Sequence, residues 1–143
     1  FFRSLLDIAH NPAAVKEMAK SVQKLFSYTR VIVIYGAMKD KQSDEMLQKL
    51  TNFADHFILV RPNQERSENP TRFKKILKKY NASFEVIESI PKAIRKVKQT
   101  ALSDDMVCIT GSIFTVGEAK KCLENESNFK TNFPPSTGLH LNG

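Results

Sequence analysis

The chain has 143 residues, 41% hydrophobic and 26% charged, the balance of a single globular domain that can bury its own core. A net charge of +7 points toward anionic partners, while its 2 cysteines match neither a metal motif nor a disulfide framework. No apolar run is long enough to cross a bilayer and no signal segment is present, so a reduced, cytoplasmic setting without a membrane is expected.

The elements follow in chain order. Arg3 to Ala9 reads as a strand. Asn11 and Pro12 suit the start of a helix, and Val15, Met18, Ala19, Val22, Leu25 and Phe26 recur at helical spacing. Val31 to Tyr35 is continuous, apolar and β-branched, the signature of a strand buried on both faces. Gly36-Ala37 ends it, and Ser43 is expected to cap a helix whose inner face is Met46, Leu47, Leu50 and Phe53. Phe57 to Val60 is a third strand, followed by a polar loop from Pro62 to Pro70 and a helix over Phe73 to Tyr80. Ser83 to Ile87 is a fourth strand, Pro91 to Ala101 a helix, and Met106 to Thr110 a fifth strand. Gly111-Ser112 turns the chain into a helix over Ile113 to Leu123. From about Asn125 no periodicity survives, and a short extended piece is expected only at Phe129 to Phe133.

Alternation of strands and helices predicts an α/β fold, a three-layer Rossmann-like domain. Its mostly parallel sheet has five or six strands, with helices on both faces. Residues 1–124 form the domain and 125–143 a loosely structured tail. Lys74, Lys75, Lys78 and Lys79, and Lys92, Arg95, Lys96 and Lys98, read as the wetted faces of two helices. No aromatic residues interleave with these charges, so nucleic acid is not an expected partner.

The polar residues that end the strands carry the functional signal. In a parallel sheet all C-terminal strand tips share one rim, where ligands bind. Asp7, His10 and Asn11 fall at the first tip, and Gly36, Ala37, Lys39, Asp40 and Lys41 at the second. Arg61 stands at the third with Arg66 along its loop, and Thr110, Gly111 and Ser112 at the fifth. A carboxylate for ribose hydroxyls, cations for anionic groups and a Gly-Ser turn at a helix start suit a nucleotide or an amino acid. Each also has a structural alternative: Asp7 or Ser112 as a helix cap, His10 as a packed histidine, the lysines as solvated charge. No G-x-x-x-x-G-K-[ST] phosphate loop, G-x-G-x-x-G turn, G-x-S-x-G elbow or metal-ligand cluster is present.

Asp7-Ile8-Ala9-His10-Asn11-Pro12 resembles the D-x-A-H-N-P motif that opens the C-terminal domain of the Mur ligase superfamily, nearest to folylpolyglutamate synthase and dihydrofolate synthase. Val33 to Lys41, ending Gly-Ala-Met-Lys-Asp-Lys, resembles the family's second strand, and Val60-Arg61-Pro62 with Arg66 its third. Val107 to Glu118 resembles its T-G-S-x-x-x-V-G-E ending. Ile8 departs from the small residue common there. The segments come in family order and span about Leu5 to Leu123.

The resemblance implies a parent enzyme that is an ATP-dependent ligase. ATP phosphorylates a carboxylate of a folate or dihydropteroate substrate, and the amine of L-glutamate attacks the acyl phosphate. Mg neutralises phosphate charge. Carried over by position, His10 is catalytic, Asp7 and Asn11 contact ATP, and Lys41, Thr110 and Ser112 hold glutamate. Arg61 and Arg66 are candidate anion contacts, and no metal ligand is expected here. The family's phosphate loop, Mg ligands and an ATP-contacting arginine lie in segments that precede this region. The chain starts with Phe, and it reads as a piece of a longer or processed protein. It is expected to work with the central ATPase domain of the same chain, as a monomer, and to be inactive alone. Two alternatives stay open: another Mur-type ligase acting on a peptidoglycan precursor, or a non-enzymatic basic module that binds nucleic acid.

Overall fold

The computed structural model describes residues 3–7, 12–25, 29–40, 42–125 and 139–142. Strand β1 (Arg3–Asp7) is followed by helix α1 (Pro12–Leu25), β2 (Arg30–Tyr35), α2 (Ser43–Leu50) and β3 (His56–Leu59). A 3₁₀ turn (Pro70–Phe73) leads into α3 (Lys74–Lys79), then β4 (Phe84–Val86), α4 (Ile90–Thr100), β5 (Asp105–Thr110), α5 (Ile113–Glu124) and β6 (Leu139–Asn142). One six-stranded sheet runs in the order β4-β3-β2-β5-β1-β6. The pairings among β1 to β5 are parallel, and β6 joins β1 antiparallel with Leu5 opposite Leu141. The sheet is thus mostly parallel, with helices on both faces, as the alternation predicts.

The period of two along each inner strand sorts side chains to opposite faces. Val31, Val33, Tyr35, Phe57, Leu59, Met106 and Cys108 pack on one side with Met18 of α1, Met46, Leu47 and Leu50 of α2, and Phe73 and Leu77 near α3. Ile32, Ile34, Ile58, Val60, Val107 and Ile109 pack on the other with Ile90, Ala93, Ile94 and Val97 of α4 and Val116, Ala119 and Leu123 of α5. Strands β2 and β5 sit mid-sheet between the two layers, which is why their sequences are continuously apolar. The lysines named above on α3 and α4 stand at exposed or half-buried positions around these inner faces.

Local chemistry sets most helix starts. Ser89 Oγ accepts the Lys92 N–H (3.3 Å) at the head of α4, with Pro91 in its first turn. Asn69 Oδ1 accepts the Thr71 N–H (3.1 Å) and starts the 3₁₀ turn. Ser43 differs from its expected role as a cap. It is the first helical residue of α2, and its hydroxyl is spent on the Asp40 carbonyl (2.8 Å) while Asp40 Oδ1 takes the Gln42 N–H (2.9 Å). Its own carbonyl receives the buried Tyr35 hydroxyl (2.8 Å). Burial holds that phenol far above its ordinary titration range, so it stays a donor.

Two other readings meet the limits of the described residues. Within 125–143, Leu139–Asn142 forms the edge strand β6, whereas the extended piece expected at 129–133 lies outside them. Strand β1 is described to Asp7. Cys108 is buried, Cys122 is half-buried, and neither is in a disulfide.

Candidate functional site

The parallel arrangement collects the tips of β4, β3, β2, β5 and β1 on one rim of the sheet. Between the tips of β2 and β5 lies a cavity of about 230 Å³, lined by Ala37, Met38, Asp40, Met46, Gly111, Ser112, Ile113 and Phe114. Its walls are the loop after β2 and the first turn of α5.

Two glycines make that geometry possible. Gly36 donates its N–H to the Thr110 carbonyl (3.2 Å), which ties the two tips together. A Cβ on Gly36 would stand 2.8 Å from Thr115 Oγ1 and 2.9 Å from Val60 Cγ2. Gly111 has φ +116, and a Cβ there would fall 2.1 Å from the Gly36 carbonyl oxygen. A side chain at either place would push the tips apart.

Ser112 opens α5 with an extended backbone, and its Oγ accepts the Thr115 N–H (3.1 Å). The first N–H groups of the 12-residue helix face this rim without helical partners, and the macrodipole places partial positive charge there. Anionic groups are therefore favoured at the head of α5. Met38, Met46 and the exposed pair Ile113 and Phe114 supply apolar wall beside it, and Asp40 supplies a carboxylate. The combination suits an amphipathic ligand with both a charged end and a hydrocarbon or ring portion.

The sequence-predicted residues divide. Ser112 lines the cavity. Thr110 is fully buried just beneath the rim, with its carbonyl engaged by Gly36. Asp7 ends β1 beside β5, and the register Leu6↔Ile109 puts it at the level of Thr110. His10, Asn11 and Lys41 lie outside the described residues. Arg61 lies two residues beyond β3, with its N–H on the Glu88 carbonyl (2.8 Å) and its Nε–H on Ser67 Oγ (3.1 Å), so part of its donor set is spent on its own loop. Arg66 is exposed, and its carbonyl accepts the Lys39 N–H (2.9 Å). Neither arginine lines the cavity. Met38, Met46, Ile113, Phe114 and Thr115 are contributors that strand-tip reasoning missed. Ile113 and Phe114 carried a signal, since two bulky apolar residues directly after a Gly-Ser turn stand where the helix begins at the rim.

A second cavity, about 320 Å³, sits at the opposite rim and is lined by Arg30, Asp55, His56, Ser83, Glu85, Lys96 and neighbours. Its charges are satisfied internally. Arg30 forms a two-pronged pair with Asp105, Asp55 Oδ2 accepts the Val31 N–H (2.7 Å), and His56 bridges Ser83 Oγ (2.7 Å) and Glu85 Oε2 (2.8 Å). Lys96 takes the other Glu85 oxygen. Burial tends to raise the Glu85 carboxyl, yet Lys96 and His56 outweigh it and hold Glu85 below its ordinary value. Asp105 is lowered in the same way by Arg30 and the Leu102 N–H, against the pull of burial. This cluster holds the sheet's lower edge together. Among the described residues no group of three or more His, Cys, Asp or Glu side chains is set to hold a metal ion, and no helix is long and apolar enough to cross a membrane.

A mostly parallel sheet with a cavity between two central strand tips defines the fold class, and similarity to known proteins makes it specific. The family model described as the Mur ligase, glutamate ligase domain matches residues 2–113, and the chain belongs to that family. A Halobacterium salinarum protein named as a bifunctional folylpolyglutamate synthase/dihydropteroate synthase is 32% identical over 117 residues, 81% of this chain and 14% of its own length. The dihydrofolate synthase/folylpolyglutamate synthase of Buchnera aphidicola subsp. Baizongia pistaciae is 27% identical over 127 residues, 88% of this chain and 29% of its own. The crystal structure of the Yersinia pestis folylpolyglutamate synthase/dihydrofolate synthase, complexed with AMPPNP and Mn ion, superposes with a TM-score of 0.73 at 23% identity. It covers 85% of this chain and 28% of that one, a likeness of fold. The chain thus spans less than a third of the length of each of these relatives.

Proposed function

We propose that this chain is the C-terminal domain, including the edge strand Leu139–Asn142, of an ATP-dependent folylpolyglutamate or dihydrofolate synthase, and that its C-terminal rim positions L-glutamate and part of ATP. The observation that carries this reading is the cavity between the β2 and β5 tips, in a chain whose family is named for glutamate ligation.

In this reading the chemistry is shared between two parts of a larger protein. The preceding part phosphorylates the folate carboxylate from ATP. This domain presents the amino acid, whose amine then attacks the acyl phosphate and releases phosphate. Asp7, at the end of β1, and Asn11 are assigned to contact with ATP. His10 is assigned the catalytic role. Lys41 and the head of α5 hold the carboxylates of glutamate, and Ser112 contacts the same substrate, supported from below by Thr110. Arg61 and Arg66 belong to the outer margin of the rim, where they meet an anion. The apolar surface of Met38, Ile113 and Phe114 closes against the preceding part and excludes water, which protects the acyl phosphate.

Mg neutralises phosphate charge when bound. Its ligands are assigned to the preceding part, in keeping with the resemblance. The Yersinia relative's complex with AMPPNP and Mn ion supports a nucleotide and a divalent cation in the whole enzyme. The protein works as a monomer in the cytoplasm.

Phosphate release measured with ATP, L-glutamate and dihydropteroate or a folate tests the proposal. The isolated 143-residue chain should release none, whereas the full-length protein should turn over only when glutamate is present. The D7A and H10A variants of the full-length protein should lose at least about a hundredfold in rate. Turnover by the isolated chain, or full-length activity indifferent to these variants, contradicts the reading.

A further inference from the structure

Three hydrogen bonds at the head of α5 fix the direction of two hydroxyl groups. Thr115 Oγ1 lies 2.8 Å from the Gly36 carbonyl oxygen, which can only accept, so the single proton of Thr115 goes there. Thr115 Oγ1 also lies 3.0 Å from Ser112 Oγ, and with its proton already committed it must be the acceptor. Ser112 therefore donates to Thr115. Ser112 Oγ in turn accepts the Thr115 N–H (3.1 Å). A hydroxyl offers one donor and two acceptor positions. One lone pair of Ser112 remains, and Ser112 lines the rim cavity. Toward a ligand it is an acceptor.

The same relay fastens three stretches of chain. Thr115 is fully buried in the first turn of α5, Ser112 belongs to the turn after β5, and Gly36 begins the loop after β2. The bond to Gly36 spans 79 positions in sequence. Because Gly36 lacks a Cβ, the Thr115 hydroxyl can approach its carbonyl closely.

We propose that Thr115 is a positioning residue of the rim cavity. It does not line the cavity. It acts through Ser112, whose free lone pair it turns toward an N–H donor of the ligand, and through Gly36, whose loop it holds against the turn after β5. Resting on the ligase reading above, the N–H donor is the amine of the incoming amino acid rather than its carboxylate.

The experiment compares the full-length protein with its T115V, T115S, S112A and T115V/S112A variants by steady-state ligation, and records ¹H–¹⁵N spectra of the 143-residue chain. Valine keeps the size of threonine and removes the hydroxyl, whereas serine keeps the hydroxyl and removes the methyl group. The T115V variant should raise KM for the amino acid about tenfold and leave kcat within about twofold. The T115S variant should stay within about twofold of wild type. The double variant should be no worse than S112A alone, because both break one relay. In the spectra, T115V should move the amides of Gly36, Ala37, Gly111 and Ser112, and T115S should leave them in place. An unaltered KM in T115V, equal damage from T115S, or additive losses in the double variant overturn the proposal. A wild-type protein with no amino-acid-dependent turnover sinks the ligase reading instead.

Discussion

Gly111 shows how little freedom the rim allows a single residue. Its φ of +116 suits glycine alone, and a methyl group would enter the Gly36 carbonyl. The G111A variant should lose about 2 kcal/mol or more of stability in urea denaturation. Ser112 makes a smaller contribution through its cap of α5, so S112A should cost about 1 kcal/mol by the same measurement. Loss of activity in S112A well beyond what that destabilisation explains separates ligand contact from capping. The placement of Ser112 at a strand tip was legible in the sequence, since a β-branched apolar run ending in Thr-Gly-Ser marks a buried strand entering a helix. The role of Thr115 was not. It depends on a carbonyl contributed by a loop far away in sequence, and nothing local in Ile113-Phe114-Thr115-Val116 marks that partner.

At the scale of elements, periodicity was the reliable guide. Continuous apolar runs gave β2 and β5, and spacing of three and four gave α1, α2 and α4, because burial on two faces or on one stripe leaves a pattern in any chain; α5 was marked by the Gly-Ser turn before it. Starts and ends were less legible. Ser43 looks like a cap but spends its hydroxyl on Asp40 and lets its carbonyl serve Tyr35. This contact joins the last residue of β2 to the first of α2. The Y35F variant should therefore cost about 1–2 kcal/mol in urea denaturation, with the edge-on contact to Phe73 retained. An unchanged midpoint shows that the Ser43 carbonyl finds another donor. Strand β6 escaped sequence reading because a four-residue segment pairs with the distant β1, and short edge strands carry little periodicity.

The whole molecule divides its polar groups between two rims. One gathers polar and apolar surface around a cavity, whereas the other pairs its charges with one another. The second arrangement makes stability depend on pH. Folding lowers the values of Glu85 and Asp105, so the unfolded chain binds more protons at acid pH. Their contribution is fully present above the ordinary carboxylate values near 4, and it is lost as pH falls through the lower folded values. Urea midpoints measured from pH 7 to pH 2 should decline below about pH 4, and the D105N/E85Q double variant should show a shallower decline from a lower starting point. A variant with the same acid limb as wild type assigns the loss to other carboxylates.

The central claim is that the C-terminal rim, and not the larger charge-lined cavity opposite, is the working edge. Phosphate release by the full-length protein, with glutamate and folate present, tests it most directly when variants of both rims are compared. D7A and S112A should lower the rate strongly, while H56A and K96A should leave it close to wild type once the protein is folded. Wild-type rates in the first pair together with lost activity in the second contradict the account.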